Sequence, residues 1–383
     1  MKLLIHHHTK AYLDNKGIWL QSFIGSWVSE LSKYFNEIGL LINVNDVKEK
    51  AHDYLINNDN VVVHNYGIHN YTSKKKLNEN IINTCREVSL EYDVLLIRGI
   101  TPKQKIIFDN CKINKKVFLL VGSISNSKPL IKFNKTDILV WVLYWVRINE
   151  LKNIAKKSRV IANSKGVVDE LFNLFQIKAS YVPTNTISKN QFIPFAEKTI
   201  KKPIQVLFCG RVTEDKGIEE LITAISIINA KGYNANLDIV GNCSSIYKTN
   251  LQLKISNLKL LSKVKFYGFV AFGDELLQFY KSSDIYVLPS WHEGFPHSIW
   301  EAAASCTPVI TTAVGGIPSI LNDEDVLFCK VKEPSDLANC IIKVFSNPIE
   351  NKARVKSLHR LAQNYSSEKC AQIMYNTISG NEA

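Results

Sequence analysis

The chain has 383 residues, 46% hydrophobic and 21% charged, which excludes a disordered, fibrous or disulfide-stapled protein and suffices for two folded domains. Residues 1–200 hold 28 Lys and Arg against 17 Asp and Glu, whereas residues 201–383 hold 19 against 18, so almost all of the +12 net charge is N-terminal. A basic half suits an acidic partner such as anionic lipid or nucleic acid, although a solvated lysine-rich surface has the same composition.

Strand patterns alternate with amphipathic helical patterns along residues 1–183. This alternation predicts a parallel sheet covered by helices, a doubly wound Rossmann-like α/β domain. Residues 184–203 lose the periodicity and contain Pro194 and Pro203, so we interpret them as a linker. The predicted strands are Lys2–His6, Val61–His64, Val94–Arg98, Lys116–Val121, Arg159–Ala162 and Ser180–Val182.

The same alternation restarts after the linker and predicts a second doubly wound domain over residues 204–359. Residues 360–383 are expected to form a C-terminal helix that crosses back to the first domain. Two such domains would face each other across a cleft, where ligands bind beyond the carboxyl ends of the strands. The predicted strands are Ile204–Cys209, Asn236–Val240, Val264–Tyr267, Asp284–Leu288 and Pro308–Thr311.

The segment 284–301 concentrates polar groups at the end of a buried strand. Glu293 lies in a loop, Gly294–Pro296 leads into a helix, and Glu301 lies on that helix. The free backbone N–H groups of a helix start suit an anion such as a phosphate. Glu301 can offer carboxylate oxygens to a vicinal diol such as a ribose, and Glu293 can hold hydroxyls of a transferred group. Two surface glutamates would show the same spacing.

A second motif, Gly210–Gly217, follows the first strand of the second domain. It places Arg211 and Lys216 near the start of the next helix, where two cations could neutralise a diphosphate without a metal. Fixed charge there would stabilise a departing nucleoside diphosphate. An exposed Arg and Lys flanking a turn is the alternative interpretation of either residue alone.

Together these motifs resemble the retaining glycosyltransferases of family GT4, which have the GT-B fold. The resemblance covers most of the C-terminal half and is looser in the N-terminal half, at Ile161–Ser164 and Tyr181–Asn185. The C-terminal motifs that carry it are Gly210–Gly217, Asp238–Gly241, Phe266–Val270, Ser283–Ser290, the Glu293/Glu301 pair and Pro308–Gly316.

The resemblance implies a role for each matching position. Arg211 and Lys216 would bind the donor diphosphate after Gly210, Glu301 the ribose, and Glu293 the donor sugar, with Glu293, Arg211 and Lys216 as the catalytic set. The remaining donor contacts would come from Phe269 and Val270 at the base and from Gly294, Phe295, Pro296, His297 and Ser298 at the phosphate and sugar.

In the first domain the resemblance implies donor contacts as well, but one position departs from the family. Gly17 is expected in the loop after the first strand. Many relatives carry a histidine after the fifth strand, where this chain has Ser123. We expect His8, in the triplet that follows the first strand, to supply an imidazole instead, although a polar histidine loop would have the same sequence.

The segment from Ile138 to Arg147 is strongly apolar and aromatic, and basic residues follow it. It is too short to span a bilayer, and no secretory signal begins the sequence, so we expect a cytoplasmic protein. The segment could instead lie in a membrane interface with its lysines on anionic lipid, which predicts peripheral attachment at the inner face of the cytoplasmic membrane. A buried core helix is the alternative.

The sequence therefore predicts a metal-independent hexosyltransferase without cofactor, which uses a UDP- or GDP-sugar. We expect it to extend a lipid-linked glycan of bacterial capsule, O-antigen or lipopolysaccharide. A GT-B nucleotide-sugar epimerase or glycan phosphorylase is the rival enzyme. A basic nucleic-acid-binding protein is the rival from another class, although no recognised nucleic-acid-binding motif is present, so we expect no nucleic-acid partner.

Overall fold

A computed structural model describes residues 1–68, 74–99, 101, 103–122, 124, 135–196, 198 and 202–381. The chain forms two compact units. The first consists of Met1–Thr186 together with the segment that begins at Ser367, and the second of Ile187–Ser366. Each unit is a parallel sheet with helices on its faces, as the alternating pattern predicts.

The first unit is built on a ten-stranded sheet with the order β10-β9-β8-β7-β1-β4-β2-β3-β5, in which β6 also pairs with β4. Its strands are parallel apart from the β2–β3 and β3–β5 pairs. The strands are β1 Lys2–His6, β2 Ala11–Asp14, β3 Gly17–Leu20, β4 Glu37–Asn45, β5 Tyr54–Ile56, β6 Val61–Ile68, β7 Val94–Arg98, β8 Lys115–Leu120, β9 Arg159–Ala162 and β10 Ser180–Tyr181. The helices are α1 Ser22–Ser32, α2 Lys74–Val88, α3 Gln104–Asn110, α4 Lys135–Lys156, α5 Lys165–Phe175 and α12 Ser367–Ser379.

Both faces of the first sheet are buried, and the side chains of β1 show how. Leu4 belongs to one hydrophobic cluster, whereas Leu3 and Ile5 belong to the cluster on the opposite face. Successive side chains of a strand point to opposite faces, so a continuous apolar run suits a sheet that is covered on both sides. Helix α12 contributes Met374 and Ile378 to the second of these clusters.

The second unit has a six-stranded, fully parallel sheet with the order β13-β12-β11-β14-β15-β16. Its order changes direction at β11, where connections lead to opposite sides, and ligands bind at such a point. The strands are β11 Ile204–Cys209, β12 Ala235–Val240, β13 Val264–Gly268, β14 Ile285–Leu288, β15 Val309–Thr312 and β16 Leu327–Cys329. The helices are α6 Ile218–Ala230, α7 Ser245–Asn257, α8 Asp274–Ser282, α9 His297–Ala304, α10 Pro334–Ser346 and α11 Pro348–Gln363.

Much of the segment interpreted as a linker packs against the second unit. Ile187 is fully buried in the core of that unit. The Lys198 ammonium donates hydrogen bonds to the carbonyls of Tyr280 and Ser283 and to the Thr307 hydroxyl, at 2.6, 2.7 and 2.7 Å. Burial lowers the pKa of Lys198 to about 8. The loss of periodicity therefore reflects an irregular segment held by side-chain contacts.

Candidate active site

The loops that follow the strands of the second sheet approach one another through glycines. Gly217 and Gly315 have positive φ angles of +69° and +57°. A Cβ atom on Gly217 would lie 2.2 Å from the Pro289 carbonyl oxygen, and one on Gly315 would lie 1.7 Å from the Glu293 carbonyl oxygen. Only glycine fits such positions. The loop after β14 is therefore held between the turn that precedes α6 and the loop after β15.

Lys216 and Glu293 form the central ion pair of this loop cluster. The Lys216 ammonium lies 2.7 Å from Glu293 Oε1, and only 11% and 10% of the two side chains are exposed. The Ser290 hydroxyl donates a second hydrogen bond to the same carboxylate oxygen, at 2.7 Å. The carboxylate is thus oriented by two hydrogen bonds and largely withdrawn from solvent, as suits a group that holds a substrate hydroxyl.

Glu301 lies on α9 in a different environment. Only 7% of the residue is exposed, and the Tyr280 hydroxyl donates a hydrogen bond to its Oε2 at 2.6 Å. Burial raises the pKa of this carboxyl to about 7, although the hydrogen bond from Tyr280 opposes the shift. One of the two oxygens expected to meet a diol is therefore already engaged by a protein hydroxyl and retains only part of its accepting capacity.

Tyr286, on β14, ties the end of β11 to the start of α9. Its hydroxyl lies 2.7 Å from Ser298 Oγ and 3.2 Å from the Cys209 carbonyl oxygen. Cys209 directly precedes Gly210, so this contact places the Gly210 turn beside the first turn of α9.

Helix α9 begins at residues that the sequence predicts to contact the donor. His297 and Ser298 occupy its first turn after Pro296, and the N–H groups of a first helical turn point toward the start of the helix. The preceding Phe295 ring stacks on Trp300 with centroids 4.7 Å apart, which fixes the entry into the helix. The Gly294 carbonyl accepts a hydrogen bond of 2.7 Å from the N–H of Gly316.

Phe269 and Val270 follow β13 at the same edge of the sheet. Phe269 is 43% exposed, so its ring is available to a planar ligand. The Gly268 carbonyl accepts a hydrogen bond from the Gly241 N–H at 2.7 Å, and a Cβ on Gly241 would lie 1.7 Å from the Gly210 carbonyl oxygen. The turns after β11, β12 and β13 are therefore in direct contact.

The two predicted cations are not equivalent. Arg211 is exposed, and within the described ranges it forms no ion pair, so its charge is available to an anion. Lys216 is largely buried, and Glu293 already balances its charge. The positive field at this edge therefore comes from Arg211 and the start of α9, while Lys216 mainly orients Glu293. No group of three or more His, Cys, Asp or Glu suited to a metal ion occurs in the parts of the chain that are described.

The predicted residues of the first unit are spread over two locations. His8 follows β1 and is exposed, with its ring stacked on His7 at 4.4 Å. Gly17 opens β3 in the β2–β3 hairpin rather than in the loop that leads to α1, because the chain forms an antiparallel excursion there. Ser123 lies outside the described residues.

Sequence reasoning missed Tyr280 and Ser290, which donate hydrogen bonds to Glu301 and Glu293, and Tyr286, which contacts Ser298 and the Cys209 carbonyl. The sequence pattern around the two tyrosines indicates ordinary core aromatics, and both side chains are fully buried. A signal was available, since a buried Tyr hydroxyl requires a polar partner. Finding that partner requires the fold.

Residues 189–365 match the family model for glycosyl transferases group 1. An uncharacterized glycosyltransferase of Methanocaldococcus jannaschii is 33% identical over 49% of this chain and 51% of its own length. The capsular polysaccharide biosynthesis glycosyltransferase CapM of Staphylococcus aureus is 28% identical over 45% of this chain and 42% of its own. The chain thus spans about half the length of the curated relatives it matches.

Solved structures match over the whole chain. HepE of Anabaena, in complex with UDP-glucose, has a TM-score of 0.73 and 18% identity over 99% of this chain and 100% of its own. WaaG, a glycosyltransferase involved in lipopolysaccharide biosynthesis, has a TM-score of 0.71 and 14% identity over the same shares. Identities this low establish the fold alone, which is GT-B, as predicted. Residues 189–365 are thus similar to the glycosyl transferases group 1.

Proposed function

We propose that the protein transfers a sugar from a nucleotide-sugar donor to a glycan acceptor with retention of the anomeric configuration. The Lys216–Glu293 pair is the observation that carries this proposal, because an oriented carboxylate at the carboxyl edge of the sheet suits the hydroxyls of a sugar. The relatives named for capsule and lipopolysaccharide glycosyltransfer support bacterial surface glycan as the class of product.

The second unit would bind the donor, a UDP- or GDP-sugar. Glu301 would accept from the ribose hydroxyls, and Glu293 would hold the hydroxyls of the transferred sugar. Phe269 and Val270 would meet the base. The diphosphate would lie against the Gly210 turn, Arg211 and the N–H groups at the start of α9. Charge that develops on the leaving phosphate would meet these fixed donors, which need no reorganisation during the reaction.

The reaction is proposed to need no metal ion or cofactor, because Arg211 and the α9 start supply positive charge. Turnover is expected to be unchanged after dialysis against EDTA. Loss of turnover that Mg²⁺ or Mn²⁺ restores would overturn this part of the proposal.

The donor assignment is tested by thermal shift and calorimetry with UDP-, GDP- and ADP-sugars. One nucleotide sugar should raise the melting temperature, since a ligand that binds only the folded state stabilises it. Glu301→Ala should weaken its binding at least about tenfold. Glu275→Ala, which removes an exposed carboxylate of α8, is the matched control. Binding of no nucleotide sugar would reject the proposal.

Product analysis separates the proposed reaction from its rivals. A transferase should leave the donor intact without acceptor, apart from slow hydrolysis, and form an α-linked product from an α-linked donor. An epimerase would convert the sugar nucleotide without any acceptor, and either that result or an inverted linkage in the product would contradict retaining transfer.

Helix α4 supports an acceptor at a membrane surface. Five large apolar side chains on this helix are between 37% and 50% exposed, and Lys156 and Lys157 farther along are exposed as well. A Trp-rich apolar surface beside lysines suits the interface of an anionic membrane. We therefore infer peripheral attachment to the cytoplasmic face of a bacterial membrane, where a lipid-linked glycan would be presented. The five residues are Trp141, Val142, Leu143, Trp145 and Val146.

The buried-helix interpretation of this segment applies only to its continuation, where Ile148, Leu151 and Ile154 are buried. Within the described ranges, no helix has the length and apolar content to cross a membrane.

Co-sedimentation with vesicles tests the attachment. The wild type should bind vesicles that contain 30% phosphatidylglycerol at low salt, and Trp141→Ser/Trp145→Ser should abolish most of that binding. Leu90→Ser, which removes another exposed apolar side chain of the same unit, is the control. Equal sedimentation of the double variant, or dimer formation through this surface without vesicle binding, would contradict a membrane role.

A further inference from the structure

The ends of the adjacent strands β1 and β7 bring a cation and an imidazole together in the first unit. His6 pairs with Ile97 in the parallel register, so the next residues, His7 and Arg98, lie side by side. The Arg98 guanidinium contacts His7 Nε2. We call His7, Arg98 and the aromatic rings around them the Arg98 cluster.

His7 is a neutral hydrogen-bond acceptor in this cluster. The residue is only 1% exposed, and its Nδ1 lies 2.6 Å from the Thr9 hydroxyl oxygen. The Thr9 backbone N–H donates to Nδ1 at 3.0 Å, and the Arg98 guanidinium, which can only donate, faces Nε2. Burial and the Arg98 cation lower the pKa of His7 far below its ordinary value. The imidazole therefore contributes no negative charge to balance Arg98.

Arg98 has no counter-ion in the described part of the chain: no ion pair includes it, and burial alone lowers its pKa, to about 10, which still leaves it cationic at neutral pH. Its remaining neighbours are rings of α1, with the guanidinium carbon 5.4 Å from the Phe23 centroid and 5.9 Å from the Trp27 centroid. The Trp27 indole N–H is buried and also lacks a hydrogen-bond partner.

A partly buried guanidinium without a carboxylate is uncommon, because desolvation of a charge is costly unless it is paired. Here the guanidinium lies near the Trp27 indole N–H, for which the described residues provide no acceptor, at the carboxyl edge of the sheet, where ligands bind. The guanidinium fork matches the oxygens of a carboxylate or phosphate.

We propose that the Arg98 cluster binds an anionic group, a phosphate or a carboxylate, of the acceptor. This inference rests on the proposed transferase function. The second unit already provides Arg211 and a helix start for the donor phosphates, whereas the N-terminal half carries almost all of the positive excess of the chain. The anion can come from a lipid-carrier phosphate or from an acidic sugar.

Histidine-selective NMR on the full chain tests the site with two probes, geranyl phosphate and glucuronate. Saturable shifts of the His7 and His8 ring resonances are expected with one of them. Geranyl phosphate would identify the lipid-carrier phosphate as the source, and glucuronate an acidic sugar. Arg98→Met should weaken this binding at least about tenfold, whereas Arg86→Met, which removes an exposed arginine of the same unit, should not.

Arg98→Lys keeps the charge but not the fork, so its affinity should fall between those of the wild type and Arg98→Met. It serves as the test if Arg98→Met does not fold. Absence of shifts with both probes at 10 mM, or unchanged affinity in the Arg98 variants, would overturn the proposal. Nucleotide-sugar binding is measured on the same samples. Nucleotide-sugar binding without probe binding would refute only the proposed acceptor site. Absence of nucleotide-sugar binding would refute the proposed transferase function.

Discussion

The two units present their strand ends with opposite charge arrangements. In the second unit the buried ammonium of Lys216 is paired with Glu293 at 2.7 Å, so the loop cluster is internally balanced. In the first unit the described residues leave Arg98 with a neutral imidazole and aromatic rings. The strand ends of the two sheets therefore suit different ligand groups. The second holds an oriented carboxylate for hydroxyl groups, and the first holds a cation that needs an anion.

The largest expected effect is the loss of turnover when Lys216, rather than a surface lysine, is replaced. Lys216→Met should lower turnover at least about 100-fold, because Glu293 loses the group that orients it and the site loses a fixed charge. Lys254→Met is the control, since Lys254 forms a more exposed ion pair with Glu219 in the same unit. The rates of both variants are measured with the donor that binds. Near-normal rates for Lys216→Met would show that the Lys216–Glu293 pair has no role in turnover.

Stability gives the sharpest test of the charge difference. Lys216→Met should destabilise the second unit by about 2–3 kcal/mol, since it leaves a buried carboxylate unpaired. Arg98→Met should leave the first unit as stable as before, or up to about 2 kcal/mol more stable, because it removes an uncompensated cation. Hydrogen exchange read by mass spectrometry resolves the two units. A similar loss of stability in both variants would mean that another group already balances the charge of Arg98.

Glu301 should make the second unit pH-sensitive in a direction opposite to that of a paired carboxylate. Its folded pKa of about 7 exceeds the ordinary 4.5, so the folded state favours the protonated form and loses stability as the pH rises between these values. Glu301→Gln should therefore be about 3 kcal/mol more stable than wild type at pH 8 and nearly equal to it at pH 4.5.

Urea unfolding at the two pH values measures this difference, with Glu275→Gln on the exposed surface as the control. A constant difference between wild type and Glu301→Gln at both pH values would show that the buried carboxyl does not titrate differently on folding.

The smallest effect on stability is expected on helix α4. Trp141→Ser/Trp145→Ser should change the free energy of unfolding of the first unit by less than about 1 kcal/mol, because both rings are more than a third exposed. Chemical unfolding of the lipid-free protein checks this. A loss of several kcal/mol would show that the rings serve the core of the unit rather than a surface contact.

Local patterns in the sequence predict most of the second unit. The strand Ile204–Cys209 has the predicted bounds, because a buried apolar run and the glycine that follows delimit it, and the predicted helix after Pro296 is present and carries Glu301. In the first unit β4, Glu37–Asn45, is missed although it is central, since its Gly and Asn residues interrupt the apolar pattern. The hairpin β2–β3 is missed because its strands are only four residues long.

The individual site residues are predictable as residue types, but their pairing is not. Lys216 and Glu293 are 77 positions apart, and His7 and Arg98 are 91 apart, so their contacts depend on strand order and register. The different surroundings of Arg211 and Lys216 also depend on the fold, because the sequence does not show that Glu293 reaches Lys216. Whether a charged side chain has a counter-ion at the carboxyl edge of a sheet therefore depends on the fold.

The return of α12 to the first unit has a consequence for biosynthesis. Its residues Ala371, Met374 and Ile378 are fully buried in the same cluster as Leu3 and Ile5 of the first strand. A ribosome translates the whole second unit between these two parts, so the first unit waits with an apolar surface uncovered while the other folds. We therefore expect the nascent first unit to need a chaperone and to complete its core only after the second unit has been translated.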